Sequence, residues 1–305
     1  APHYFETTMP QQYVIKQGKI SVAGKDGTLS LKSYHPDLLV AEIAIDLADP
    51  FADEVFTLRE AAIDECHEIL KKSGGKDVEE FSEEYTLFIV SGYEGDPEQF
   101  FKHGEIISGL LKSEKLSLDP QEIEYTLSSQ IKYAKNDLVI VDWDGAFLFD
   151  PEGDVESTTE LFELANLQLL RYRILDKDLD ARLHQIASLI EHSPDKTKVL
   201  FKAKEVNVAL KEIILVRSGS IYEFRALEKE IKLIGDWYWA RLYDLIAKKF
   251  KIEEWRRSVR EKLDAIEDVY TIASENFTVS WERRAHIIEL VGWYVLLIGW
   301  LGLLI

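Results

Sequence analysis

One cysteine, one methionine and eight prolines in 305 residues leave little material for several kinds of protein. The lone Cys66 excludes an internal disulfide and fits a reducing compartment. It stands beside His67 in IDECHEIL, where sequence neighbours point to different sides of a helix. With no second thiol nearby, neither a metal centre nor a reactive thiolate is expected there. Basic residues are also scarce. The 36 Lys and Arg face 55 Asp and Glu, a net charge of −19, which opposes a nucleic-acid groove and predicts no nucleic-acid partner. The seven histidines are scattered, and neither H-E-x-x-H nor G-x-S-x-G occurs, so metalloprotease and nucleophile chemistry have no anchor. The stretch APHYFETTMPQQYVIKQ lacks the apolar run of a secretory signal.

What charge there is lies unevenly. Residues 41–100 hold 17 acidic side chains against 4 basic ones, whereas residues 241–262 hold 8 basic against 4 acidic. Such a division suits electrostatic docking on a second copy or an anionic surface, or simply two solvated faces of opposite sign.

Along the chain, KISVAGKDGTLSLKSY alternates and predicts a hairpin turning at Lys25-Asp26-Gly27. LLVAEIAIDLA reads as a buried strand, and FTLREAAIDECHEILKKSGG as a helix closed by Gly74 and Gly75. These glycines follow a helix rather than a strand, so SGGK is not a phosphate loop. EYTLFIVSGY is a further strand. Two helical stretches then open on Asp-Pro pairs, Asp96-Pro97 and Asp119-Pro120, which suit a cap followed by a first-turn proline. Residues 1–154 are therefore expected to form an α+β domain.

From Val155 the period becomes helical: Leu161, Leu164, Leu167, Ile174, Leu175, Leu179, Leu183, Ile186 and Ile190 share a face. A second helical stretch is expected from about Lys198 to Gly235. A third opens at Asp236 and continues without Pro or Gly through Trp239, Tyr243, Ile252, Trp255, Val259, Leu263, Ile266, Tyr270, Ala273 and Phe277. Residues 155–283 thus predict a long-helix hairpin whose last arm packs like a coiled coil. In residues 284–305 only His286 and Glu289 interrupt the apolar run that begins at Ala285. At ~1.5 Å per residue this length matches the ~30 Å of a bilayer core, which predicts one transmembrane helix. Arg283 and Arg284 would set the preceding domain on the cytoplasmic side of an inner or plasma membrane. Ala285, Gly292 and Gly299 recur one heptad apart, with Glu289 on the same seam, and would pack against another membrane helix.

VIVDWDGAFLFD poses the sharpest chemical question. Its D-x-D-G after a strand resembles the first motif of haloacid-dehalogenase-like phosphatases, in which one Asp attacks phosphorus beside a bound Mg²⁺. The residue after the glycine is Ala146 instead of Thr, and the later acidic and basic motifs of that fold are missing. A hairpin turning on Asp144-Gly145 is the better reading. Asp142, Asp144 and Asp150 remain candidates for a hard cation, although their spacing is not that of an EF-hand. No cofactor is implied.

The segment from Glu212 to Tyr270, followed by residues 275–301, resembles the C-terminal half of the "required for meiotic nuclear division" family. The matching positions are Trp239, Leu242, Tyr243, Lys262 and Leu263, with Glu282 to Leu301 at the membrane end; Gly145 and its strands match more loosely. The resemblance implies a non-enzymatic, membrane-anchored, oligomeric protein, whose mitochondrial relatives belong with inner-membrane assemblies that support translation. A homo-oligomeric channel of CorA-like architecture is the alternative, although the two spans and G-M-N loop of that type are absent. The expected protein is a single-pass scaffold that associates with its own copies and with other membrane proteins.

Overall fold

The computed structural model describes residues 12–34, 37–191, 215, 218, 237–268, 286 and 289–293. Contacts divide the chain into two units: Ala1–Ile174 with Ala226–Arg257, and Leu175–Arg225 with Ser258–Ile305. The described elements are mixed α and β.

The first unit opens with an antiparallel meander, β1 (Gln12–Val22), β2 (Lys25–Tyr34) and β3 (Leu38–Ile45). The hairpin forms, but it turns at Ala23-Gly24, two residues before the expected place. Ala23 and Gly24 have φ of +48° and +79°, the left-handed conformation that matches the twist of paired strands. Gly27 is instead a ladder position opposite Ile20 and Ile45, and a Cβ there would come within 2.7 Å of the Ala44 carbonyl oxygen.

Helix α1 (Glu54–Lys72) ends as expected: Gly74 has φ +94°, and Gly75 N–H donates to the Leu70 carbonyl at 2.9 Å. Strand β4 (Thr86–Val90) follows. Both Asp-Pro pairs cap as expected. Asp96 accepts from Glu98 N–H ahead of a tight 3₁₀ segment (Pro97–His103) leading into α2 (Gly104–Lys112). Asp119 accepts from Gln121 N–H at the start of α3 (Pro120–Ser128).

Strands β5 (Gln130–Ile131), β6 (Leu138–Val141) and β7 (Gly145–Phe149) complete a second sheet of order β4-β7-β6-β5. Its β4–β7 pair is parallel and its other pairs are antiparallel. Every residue of β6 and β7 is buried, which explains why LVIV and GAFLF are apolar without alternation. Phe51, Val55, Ile107, Leu110 and Leu111 pack with Phe88, Ile140, Phe147 and Phe149 to form the main core. A smaller cluster sets Tyr34 and Leu38 against Leu167 of α4 (Glu156–Glu191).

One expectation about the helices changes. The third helical stretch is not continuous: α5 (Trp237–Lys249) stops, Lys251 takes φ +53°, and α6 resumes over residues 252–268. No proline or glycine marks the break. Tertiary fit sets it, since Phe250 and Ile252 on either side are both buried. Of the expected packing residues, Tyr243, Val259, Leu263 and Ile266 are buried, while Trp239 and Trp255 are half-buried. Tyr270, and the second helical stretch apart from Leu215 and Ser218, lie outside the described residues. In the second unit α6 meets the later part of α4 through Lys262, which pairs with Asp176 at 2.8 Å and Asp180 at 2.7 Å.

The membrane expectation is also corrected. Among the described residues no helix is long and apolar enough to cross a membrane, so the single-pass anchor, the membrane location and the channel alternative lose their support. In the longest of the described helices, α4, apolar residues are taken up by packing: Leu161, Phe162, Leu164, Tyr172, Leu175 and Leu179 are buried. The described turn at the C-terminal end is exposed and polar at its start, with His286 and Glu289 paired at 3.6 Å. Of the proposed seam, Glu289 and Gly292 are exposed, and Ala285 and Gly299 lie outside the described residues.

Candidate functional site

The β6–β7 turn is where the chemistry-bearing residues of the sequence meet. Pairing of Val141 with Ala146 places Trp143-Asp144 at its centre, one residue earlier than the Asp-Gly pair suggested. Neither central residue has positive φ. Gly145 is required for another reason. It lies opposite Thr86 of the parallel strand β4, and a Cβ would meet the Thr86 carbonyl oxygen at 2.9 Å and the Phe88 ring at 3.3 Å. The glycine that looked like turn chemistry is there for close approach of two strands.

Asp142 is 5% exposed. Lys112 of α2 contacts one carboxylate oxygen at 3.0 Å, and Lys249 at the end of α5 contacts the other at 3.1 Å. The Trp143 N–H donates to the carboxylate at 2.9 Å, and the Tyr85 hydroxyl donates to the Asp142 carbonyl at 3.0 Å. Lys112 also reaches Glu122 at 2.8 Å. Burial works to lower the Lys112 ammonium, yet its bonds to Glu122 and Asp142 carry it above its ordinary value. With both oxygens held, Asp142 presents no open face to a phosphorus atom and acts as a tie between α2, α5 and the turn. Asp150 is committed too: its carboxylate accepts from the N–H groups of Glu152 and Asp154 at 2.9 and 3.1 Å. The three candidate cation ligands Asp142, Asp144 and Asp150 do not converge on one point, and among the described residues no group of three or more His, Cys, Asp or Glu side chains could hold a metal ion.

Asp144 differs. It lines a cleft of about 190 Å³ together with Ser82, Glu83, Glu84, Trp143, Asn166, Leu169 and Phe250. Burial raises its carboxyl above the usual Asp range, against the Ser113 hydrogen bond and the charge of Arg59. Among the described residues no ammonium or guanidinium lies within ion-pair distance of it. Arg59 itself donates to the Thr86 hydroxyl at 2.8 Å and to the Asp144 carbonyl at 3.4 Å, so its guanidinium braces the backbone beneath the cleft. Glu83 is held by Arg173, and burial still raises its carboxyl. Trp143 is 47% exposed, with the Lys251 ammonium 5.6 Å from its ring centroid.

Sequence reasoning missed one grouping at this cleft. His67 Nε2 lies 3.4 Å from the Ser82 hydroxyl and 3.0 Å from a Glu84 oxygen. Serine, histidine and glutamate together suggest a relay, but a relay uses both ring nitrogens, one toward each partner. Here both partners address the same nitrogen, so it cannot accept from Ser82 while donating to Glu84. No spacing in sequence brings residues 67, 82 and 84 together; the loop after α1 does. Cys66 is half-buried, and burial pushes its thiol up to about 11, which agrees with an unreactive side chain.

Comparison with known proteins places these features in a family. Residues 1–156 match the family described as "Uncharacterized protein MJ0711, N-terminal domain". An uncharacterized protein, MJ0711 of Methanocaldococcus jannaschii, is 30% identical over 275 residues, covering 90% of this chain and 80% of that protein. No solved structure matches. These matches replace the meiotic-division resemblance. They carry no such family, and the matched domain is the N-terminal half, where the resemblance rested only loosely on Gly145 and its strands. Short aromatic and Leu-Tyr motifs at helical spacing arise from packing alone, which is why they misled.

Proposed function

Starting from a chain that belongs to the MJ0711 family, we propose a non-enzymatic interaction protein whose cleft takes the cationic side chain of a partner polypeptide. The observation that carries this reading is Asp144, a half-buried carboxylate beside Trp143 with no cation in ion-pair distance among the described residues. An aromatic face next to a carboxylate suits a guanidinium or ammonium, because ring quadrupole and charge attract the same group. Glu84 and the Asn166 amide offer further acceptors at the wall. The charge of −19 steers basic partners and repels acidic ones. The commitment of Asp142 to two lysines supports binding over phosphoryl transfer.

Titration of the protein with short arginine- or lysine-containing peptides, against a glutamate-containing control, tests the reading. Basic peptides should bind and weaken with added salt, and Asp144→Asn or Trp143→Ala should cost about tenfold in affinity. Because burial raises the Asp144 carboxyl, binding should begin to fall at a higher pH than an ordinary aspartate would set. Equal binding of acidic and basic peptides would overturn it. So would a metal-dependent phosphatase activity that Asp142→Asn abolishes.

A further inference from the structure

The cleft has a cation beside it that no described carboxylate holds. Phe250, which lines the cleft, and Ile252 are buried on either side of Lys251, and between these anchors the chain takes φ +53°. A side chain adopts that left-handed conformation at a cost that glycine would avoid. The strained residue is the one whose ammonium stands over Trp143, 5.6 Å from the ring centroid. Lys251 is exposed, and among the described residues no carboxylate lies within ion-pair distance of its ammonium. Asp144, next to Trp143, likewise has no described cation in reach. One indole therefore has an ammonium and a carboxylate beside it that do not pair with each other, in a unit where Lys32, Lys112, Lys132 and Lys249 each hold an acid.

We propose that the residue entering the cleft carries both charges: a basic side chain for Asp144 and its own main-chain carboxylate for Lys251, as the C-terminal residue of a polypeptide or a free basic amino acid does. The inference rests on the cleft being a cation site and adds an anion site beside it. Burial decides which charge goes where. Asp144 is half-buried and lines the cleft, so the basic group enters, whereas exposed Lys251 keeps the carboxylate toward water. A carboxylate suits that position better than a phosphate, because Glu83 and Glu84 line the same cleft and oppose a second negative charge.

Titration of the full chain with a peptide ending in an arginine that bears its free carboxylate, and with the same peptide amidated at that end, reads the anion site separately from the cation site. The free acid should bind about three- to fivefold more tightly, the gain of one exposed ion pair. Lys251→Gly, which suits the left-handed backbone, should abolish that preference while leaving the thermal midpoint unchanged or higher. Lys251→Arg should retain the preference, and so should Lys248→Ala, which removes an equal charge from exposed α5 surface. Free arginine distinguishes the sources: affinity equal to that of the peptide identifies the amino acid, and weaker binding identifies a chain end. If neither peptide binds better than a glutamate-containing control, the cation site falls and this inference with it. Equal binding of the free acid and the amide overturns the inference alone, as does a preference that survives Lys251→Gly or is lost in Lys248→Ala.

Discussion

Two hairpins of this chain announce themselves with similar dipeptides and are built on opposite principles. Strands β6 and β7 are buried on every residue, and the turn between them is fixed from outside by Lys112, Lys249, Tyr85 and Arg59. The β1–β2 hairpin is exposed along its outer strand, and its turn is fixed from inside by the left-handed backbone of Ala23-Gly24. A central hairpin can adopt an ordinary turn because its surroundings supply the constraint. A surface hairpin has to carry the constraint in its own residues.

The contrast should be plainest in stability. Leu110→Ala, in the core under β7, is expected to cost about 2–5 kcal/mol in urea denaturation, whereas Val14→Ala on β1 should stay within about 0.5 kcal/mol. Equal effects would mean that the edge is covered in the monomer. Asp142→Ala should cost about 3 kcal/mol, because it leaves two partly buried ammonium groups facing each other; a change under about 1 kcal/mol would show the tie to be dispensable.

Glycine separates the hairpins more finely. Gly145→Ala forces a Cβ against the β4 backbone and should cost about 1–3 kcal/mol, while Gly18→Ala on β1, with nothing within 4 Å, should be neutral or stabilise by about 0.5 kcal/mol. The smallest effect concerns chemistry rather than folding. Alkylation of Cys66 should rise with a midpoint near 11 instead of the ~8.5 of a free thiol, and a midpoint in the ordinary range would place the side chain in water.

Much of the first unit was legible in the sequence. The Asp-Pro caps, the glycine stop after α1 and the apolar runs of β4, β6 and β7 each follow from a local rule, and each lies where the rule put it. Turn positions were legible only to within two residues, because Gly27 and Gly145 serve strand contact and not turn conformation. The apolar C-terminal segment was read by hydropathy alone, and among the described residues no helix is long and apolar enough to cross a membrane. The cleft was not legible. Ser82, Glu84, Asp144, Asn166 and Phe250 share no spacing, and only the meeting of the segment before β4, the β6–β7 turn, α4 and the residue after α5 brings them together.

The sequence by itself determined most helices and strands of the first unit and which of their ends are capped, since these depend on backbone conformation and on periods a few residues long. Tertiary structure alone decided what the acidic residues do. Asp142 became a buried tie and Asp144 a cleft wall, two residues apart on one turn, because the chain reverses between them and burial with or without a described cation in ion-pair distance sets each carboxylate's role.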